Sequence, residues 1–242
     1  MLAVLRVAYA VVYRVDSDEP QHLHVVWEWT QGKLPYRDFF DNHTPLFQAL
    51  CAPLMKLFGE RADIVVWMRM AMVPLFVICL WAVYRIAATL YSRRVAIWAV
   101  ILAGLWPNFL LTATEFRTDD LWVALWLVAL ALMVREPFTA RRAFAVGLVF
   151  GAAFAVSMKT SLMLLAVALA LATGALVRRL AGEKIDWRVF AGWLGAFVAG
   201  LAIVPGAVGA WQGWKLQRAC PQVSMRRPCA PSEYSSRVRR KP

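Results

Sequence analysis

The chain has 242 residues, of which 61% are apolar and only 17% charged, with a mean hydropathy of +0.55. Soluble domains of this size are nearer half apolar and about a quarter charged, so a water-soluble globular protein is excluded. The net charge of +12 does not point to nucleic acid: residues 211–242 carry +7 of it, and residues 1–210, with only +5, hold no basic stripe interleaved with aromatic residues.

A spanning helix needs about 20 mostly apolar residues, because the hydrocarbon layer is about 30 Å thick and a helix rises about 1.5 Å per residue. Seven segments approach or meet this: residues 2–15, 64–84, 95–112, 121–134, 143–158, 162–177 and 189–210. The expected fold is therefore all-α, a polytopic transmembrane helix bundle. The first segment is short and interrupted by Arg6, which suggests a start upstream of Met1.

Basic residues of short loops stay cytoplasmic. Arg85, Arg93 and Arg94 follow the second segment, Arg135, Arg141 and Arg142 the fourth, and Arg178, Arg179, Lys184 and Arg188 the sixth. These mark one side as the cytoplasm. The opposite side receives residues 16–63, the loop 112–120 and the turn around Lys159, and it is rich in acids.

Two interfacial helices are expected in that first extracytoplasmic loop. Ser17 or Asp18 caps one, with Pro20 in its first turn and Gly32 beyond its end; Thr44 caps another, with Pro45 at its first position and Gly59 at its close. Leu23, Val26, Trp27 and Thr30 share a face suited to the membrane surface, with Trp27 and Trp29 at headgroup level. Trp106-Pro107-Asn108 reads as a kink. Cys51 and Cys79 sit in apolar runs and read as buried hydrophobes. From Trp211 the apolar periodicity stops, so residues 1–210 are expected as the membrane domain and 211–242 as a basic, unstructured tail; a shift of reading frame near Trp211 accounts for the change in character.

The first loop holds all three histidines, His22, His24 and His43, and eight acids, among them Asp18 and Glu19 where the chain leaves the first segment. A carboxylate at the membrane boundary is placed to take a proton from an attacking hydroxyl, help worth on the order of 10²–10⁴ in rate. Cations share that face: Arg117, within Glu115-Phe116-Arg117-Thr118-Asp119-Asp120, and Lys159. Arg offers two-pronged donors to a phosphate and Lys a point charge. The bland alternatives are a salt bridge from Arg117 to Glu115 or Asp119, a headgroup contact for Lys159, and an ion pair between Arg69 and Asp63. His24 and Glu28 stand four apart, as metal ligands do, but two ligands are weak evidence, and no metal or other cofactor is expected.

These residues resemble the protein O-mannosyltransferase-like membrane glycosyltransferases of family 39, which include the lipid A aminoarabinose transferases and share the C-type glycosyltransferase fold. The resemblance rests on Asp16-Ser17-Asp18-Glu19-Pro20-Gln21-His22, on Gln31 to Phe40, on His43-Thr44-Pro45-Leu46, and on Arg69, Pro107, Glu115 to Asp119 and Met158-Lys159-Thr160. It runs through roughly residues 2–205 and corresponds to the N-terminal portion of such enzymes. It implies Asp18 as catalytic base with Glu19 in support, and Arg117, Lys159 and His43 on the donor phosphate, with Glu115 and Asp119 completing the substrate-binding set. His43 stands where related transferases often have Lys, so its part depends on protonation. The implied partners are membrane lipid, a polyprenyl-phosphate-linked sugar and a hydroxyl acceptor, at the extracytoplasmic face of the cell inner membrane. A transporter or flippase is the alternative from another class, and a fragment without activity is a third.

Overall fold

The computed structural model describes residues 1–183 and 186–219, with side chains as far as residue 215. The expected tail beyond Ala219, with Cys220 and Cys229, lies outside the described residues, as does Lys184. Among the described residues eleven helices follow in chain order: α1 (Leu2–Val12), α2 (Asp18–Thr30), α3 (Leu46–Phe58), α4 (Ile64–Ala71), α5 (Val73–Leu90), α6 (Arg93–Leu105), α7 (Pro107–Thr112), α8 (Thr118–Met133), α9 (Ala140–Val156), α10 (Thr160–Leu180) and α11 (Trp187–Ala219). Among the described residues there is no strand, only an isolated bridge between Pro35 and Phe39. The protein is an all-α membrane helix bundle.

Among the described residues three helices are long and apolar enough to cross a membrane: Ile64–Leu90, which runs through α4 and α5, Thr160–Leu180, and Trp187–Lys215 within α11. The remaining expected segments form shorter helices. The stretch 95–112 is divided, because Trp106 is extended at ψ 117° and Pro107 opens a new helix; the expected kink is a break. This follows from proline's missing N–H and its bias against helical geometry in the residue before it.

The loop helices form where the turn chemistry puts them, but their contacts differ from those expected. The chain leaves α2 through Gly32 at φ 78° and α3 through Gly59 at φ 73°, the left-handed region where a Cβ is disfavoured. Thr44 does not cap α3; its hydroxyl donates to the Phe154 carbonyl at 3.1 Å, and Pro45 takes the cap position. The Leu23/Val26 face of α2 packs on protein rather than lying on lipid. It meets Phe47, Cys51 and Met55 of α3, Met68 of α4, and Phe116 and Val156, which together make the main core. Trp27 donates to Glu60 at 2.7 Å, and Trp29 is buried and stacked on Trp211 at 5.3 Å. Cys51 and Cys79 are free and buried, as expected.

On the other flank α9 packs against both α8 and α11. Gly147 and Gly151 lie against the backbone of Phe197 and Leu201, and Gly200 against that of Phe144, with no room for a Cβ at any of the three. Small residues let two apolar helices meet backbone to backbone where lipid supplies no hydrophobic drive. The helix α11 then continues past residue 210, where the membrane domain was expected to end. Its Trp211 covers Trp29, and Lys215 lies 4.2 Å from the Trp211 ring centroid. The far end of α11 is thereby on the same side of the bundle as α2.

Candidate functional site

The chain reverses direction between α1 and α2, and the last carbonyls of α1 have no partner within their own helix. Arg69 of α4 supplies one. Its Nη1 donates to the carbonyls of Ala10 (3.1 Å) and Tyr13 (2.9 Å), and its Nη2 to that of Arg14 (2.8 Å). The rest of the guanidinium grips Glu19: Nε to Oε1 at 2.7 Å and Nη2 to Oε2 at 2.6 Å. All five N–H groups are used. The expected pairing of Arg69 with Asp63 is thus replaced, and Asp63 instead bonds Arg61 and Trp67. Asp63 lies in the exposed turn before α4, whereas Arg69 is buried and faces the end of α1.

Glu19 is equally complete. Besides Arg69 it accepts from the backbone N–H of Phe116 at 2.7 Å and of Asp16 at 3.0 Å. Burial pushes its carboxyl up, but the hydrogen bonds from Arg69, Phe116 and Asp16 outweigh this and hold it below the usual glutamate range. One buried ion pair therefore fastens the end of α1, the start of α2, α4 and the segment before α8.

Each fixed residue has a candidate site residue as its neighbour in sequence. Asp18 precedes Glu19 and Arg117 follows Phe116, so pinning Phe116 to Glu19 brings the other two together. Arg117 Nη2 lies 2.6 Å from Asp18 Oδ2, across 99 residues of chain. Arg117 also bonds Glu115 at 3.0 Å through Nη1 and stands 4.0 Å from Asp119. Asp119 in turn holds Lys159 at 2.8 Å. Burial pushes the Glu115 carboxyl up, against the opposing hydrogen bond from Arg117. Of the expected residues, Asp18, Arg117, Glu115, Asp119 and Lys159 form one continuous charge network, and Glu19 lies beneath it as its anchor.

A cavity of about 320 Å³ opens beside this network. Arg117, Lys159, Asp119 and Asp120 give it a charged end, and Phe76, Phe109, Trp122 and Val123 an apolar one. Such a space is polar at one end and apolar at the other, the division an amphiphile has.

His43 belongs to a neighbouring cluster. Its ring Nδ1 is 3.2 Å from Asp41, whose other oxygen accepts from Gln48 at 2.9 Å. The His22 ring lies 5.0 Å from that of His43, edge-on. Burial and repulsion from His43 push His22 down to about 4, so it is neutral at ordinary pH. The exposed His24 stands 3.5 Å from the buried Glu28 and stacks on Trp27 at 5.9 Å, and among the described residues no group of three or more side chains has the makings of a metal site.

Two residues near the network, Arg6 and His22, were given no part of their own by the sequence. Arg6, which there only interrupts the first segment, is fully buried and donates to the Ala113 carbonyl at 3.0 and 2.6 Å, tying α1 to the loop before Arg117. The signal was present: an Arg inside an apolar run is costly unless it faces the bundle interior. His22 lies one turn beyond Asp18 on α2, a spacing that puts both on one face.

The family model described as dolichyl-phosphate-mannose-protein mannosyltransferase matches residues 42–207. The chain belongs to this mannosyltransferase family. In this member of the mannosyltransferase family the matched region contains His43, Arg69, Glu115, Arg117, Asp119 and Lys159, while Asp18 and Glu19 precede it. Comparison with curated proteins and with solved structures gave no significant match.

Proposed function

We propose that this chain transfers a sugar from a polyprenyl-phosphate donor to a hydroxyl acceptor at the extracytoplasmic face of the cell membrane. The observation that carries the reading is the 2.6 Å contact between Asp18 and Arg117, with Lys159 joined to the same network through Asp119. A carboxylate against one cation, with a second cation linked through Asp119, supports a site for a phosphosugar.

In this scheme Asp18 accepts the acceptor's hydroxyl proton as the oxygen attacks the anomeric carbon, and the bond from that carbon to the phosphate oxygen breaks. The leaving polyprenyl phosphate carries away the bonding electron pair, and Arg117 and Lys159 stabilise its growing charge. The apolar end of the cavity accommodates the first part of the donor's hydrocarbon. A transporter reading is less well supported, since intramembrane transport sites place their charges near mid-bilayer on broken helices. Here the charges gather where α1, α2 and α8 meet the loops.

Replacing Asp18 by Asn removes the base and almost no volume. Release of polyprenyl phosphate from polyprenyl-phosphate sugars, measured in membranes holding the full chain, should fall by about 10²–10⁴ while protein abundance is unchanged. Near-normal turnover would remove Asp18 from the mechanism. Reporter fusions should place residue 40 outside and residue 138 inside, and the opposite result would reverse the proposed active face.

A further inference from the structure

Asp119 and Asp120 are adjacent in sequence and line the same cavity, yet their settings differ. Asp119 has Lys159 at 2.8 Å and Arg117 at 4.0 Å. Asp120 has no ion pair among the described residues, and its side chain makes no hydrogen bond. Its Oδ2 is shut away from solvent without a partner, which leaves Oδ1 as the oxygen that reaches the cavity. Resting on the transferase reading, we propose that Asp120 serves the donor as a neutral carboxylic acid, whose O–H donates to the phosphate beside Arg117 and Lys159.

The charge balance around the cavity favours the acid form. Arg117 and Lys159 already face Asp18, Glu115 and Asp119, two cations against three carboxyls. A fourth carboxyl, if ionised, would confront the phosphate with a like charge in a space that already holds more acids than bases. Burial outweighs the pull of Arg6 and holds the Asp120 carboxyl well above the usual aspartate range, and the neighbouring acids Asp119 and Glu115 push it further up. Arg6 of α1 does not cancel this effect: its Nε and Nη2 donate to the Ala113 carbonyl, and its Nη1 is buried without a partner rather than bonded to Asp120.

Protonation changes what the cavity can hold. An ionised carboxyl only accepts hydrogen bonds, whereas the acid adds an O–H donor, and an O–H held against an anionic oxygen makes a short, strong hydrogen bond. Arg117 can join it with Asp18 and Glu115 still in place, because its Nε has no partner and each Nη uses one N–H of two. Lys159 likewise gives one of its three donors to Asp119. The phosphate oxygens are then met by a guanidinium, an ammonium and a carboxylic acid. The proton stays on Asp120 throughout, so this side chain holds the leaving phosphate and transfers nothing.

The test uses the full chain in lipid nanodiscs, with polyprenyl methyl phosphate as the probe, a diester that holds one negative charge across the working pH range. Infrared difference spectra at neutral pH should show a protonated carboxyl C=O band that Asp120→Asn removes and that moves to lower frequency when the diester binds. Asparagine keeps an N–H donor in nearly the same shape, so the Kd of Asp120→Asn should stay within about twofold of the parent, whereas Asp120→Ala should raise it about tenfold or more, the loss of a hydrogen bond to a charged group. Should Asp120→Ala fail to fold, the movement of the parent's band on binding decides the point by itself. A band that is absent, as it would be for an ionised Asp120 balanced by Arg6 through water, or that ignores the bound diester, would overturn the proposal. So would equal Kd values in all three proteins, or the same change in both variants. In each of these cases saturable binding of the diester by the parent leaves the transferase reading standing, whereas a parent that binds no diester would overturn both.

Discussion

The polar knot around Glu19 and the apolar pair α9–α11 hold the bundle together by opposite means. In the knot, nine directional hydrogen bonds and ion contacts converge on neighbouring side chains: seven involve Arg69 and Glu19, and two link Arg117 to Asp18 and Glu115. In the pair, three glycines bring two backbones into contact and no side-chain hydrogen bond is needed. A directional network fixes individual atoms to fractions of an ångström, which is what reacting groups require. A glycine seam fixes only the separation of two helices, which is what a scaffold requires. The chemistry and the scaffold are thus sustained by different interactions and should fail separately.

The largest separation should come from Arg69→Met. It leaves Glu19 buried without its cation and three carbonyls without donors, a loss of about 3–5 kcal/mol by the measure of broken buried pairs. Thermal unfolding in detergent should show it, with transferase turnover lost in parallel. Stability close to that of the parent would mean that the knot does not hold the loop.

Acid should loosen the knot side of the molecule before the glycine seam. His22 binds its proton only at about 4 in the folded state and near 6.5 when released. The released state therefore holds more protons between those values, and stability rises with pH across that window. Lowering the pH from 7 toward 4 should cost up to about 3 kcal/mol, and His22→Gln should flatten the profile. An unchanged pH dependence in His22→Gln would assign the acid sensitivity elsewhere.

Gly151→Leu probes the seam. A side chain there meets the Leu201 backbone, which cannot move aside as a side chain tip would. A loss of about 1–3 kcal/mol or more is expected from overpacking, read as a lower melting temperature and a broadened size-exclusion peak. Loss of turnover at a fold indistinguishable from the parent would contradict the division between scaffold and site.

The smallest effect is expected on α10, where only 6% of the apolar window is buried inside the protein. Leu169→Ala, at an exposed position, should change stability by less than about 0.5 kcal/mol. A larger loss in thermal unfolding would show that this face is packed against something in the solubilised protein.

Several features were legible because their causes are local. An apolar run that excludes charge is helical and seeks lipid wherever it sits, so composition alone gave the bundle and most helix positions. Gly32 and Gly59 ended the loop helices for a backbone reason that needs no partner. The candidate charged groups stood out too: a carboxylate at the exit of the first segment, an Arg in the loop before α8 and a Lys after α9.

Partner choice was not legible, because it depends on which distant segments close upon one another. Arg69 stands six residues from Asp63 and fifty from Glu19, and the nearer acid was the natural expectation; burial against the end of α1 made the distant one its partner. The apolar face of α2 looked suited to lipid until α3 packed on it, and Trp211 looked like the start of a tail until it stacked on Trp29. Sequence by itself determined the solvent, the helices and which charged groups were candidates for a site. Tertiary structure decided that Asp18 and Arg117 touch, since a hydrogen bond spanning 99 residues exists only after Glu19, Arg69 and Phe116 have brought their segments together.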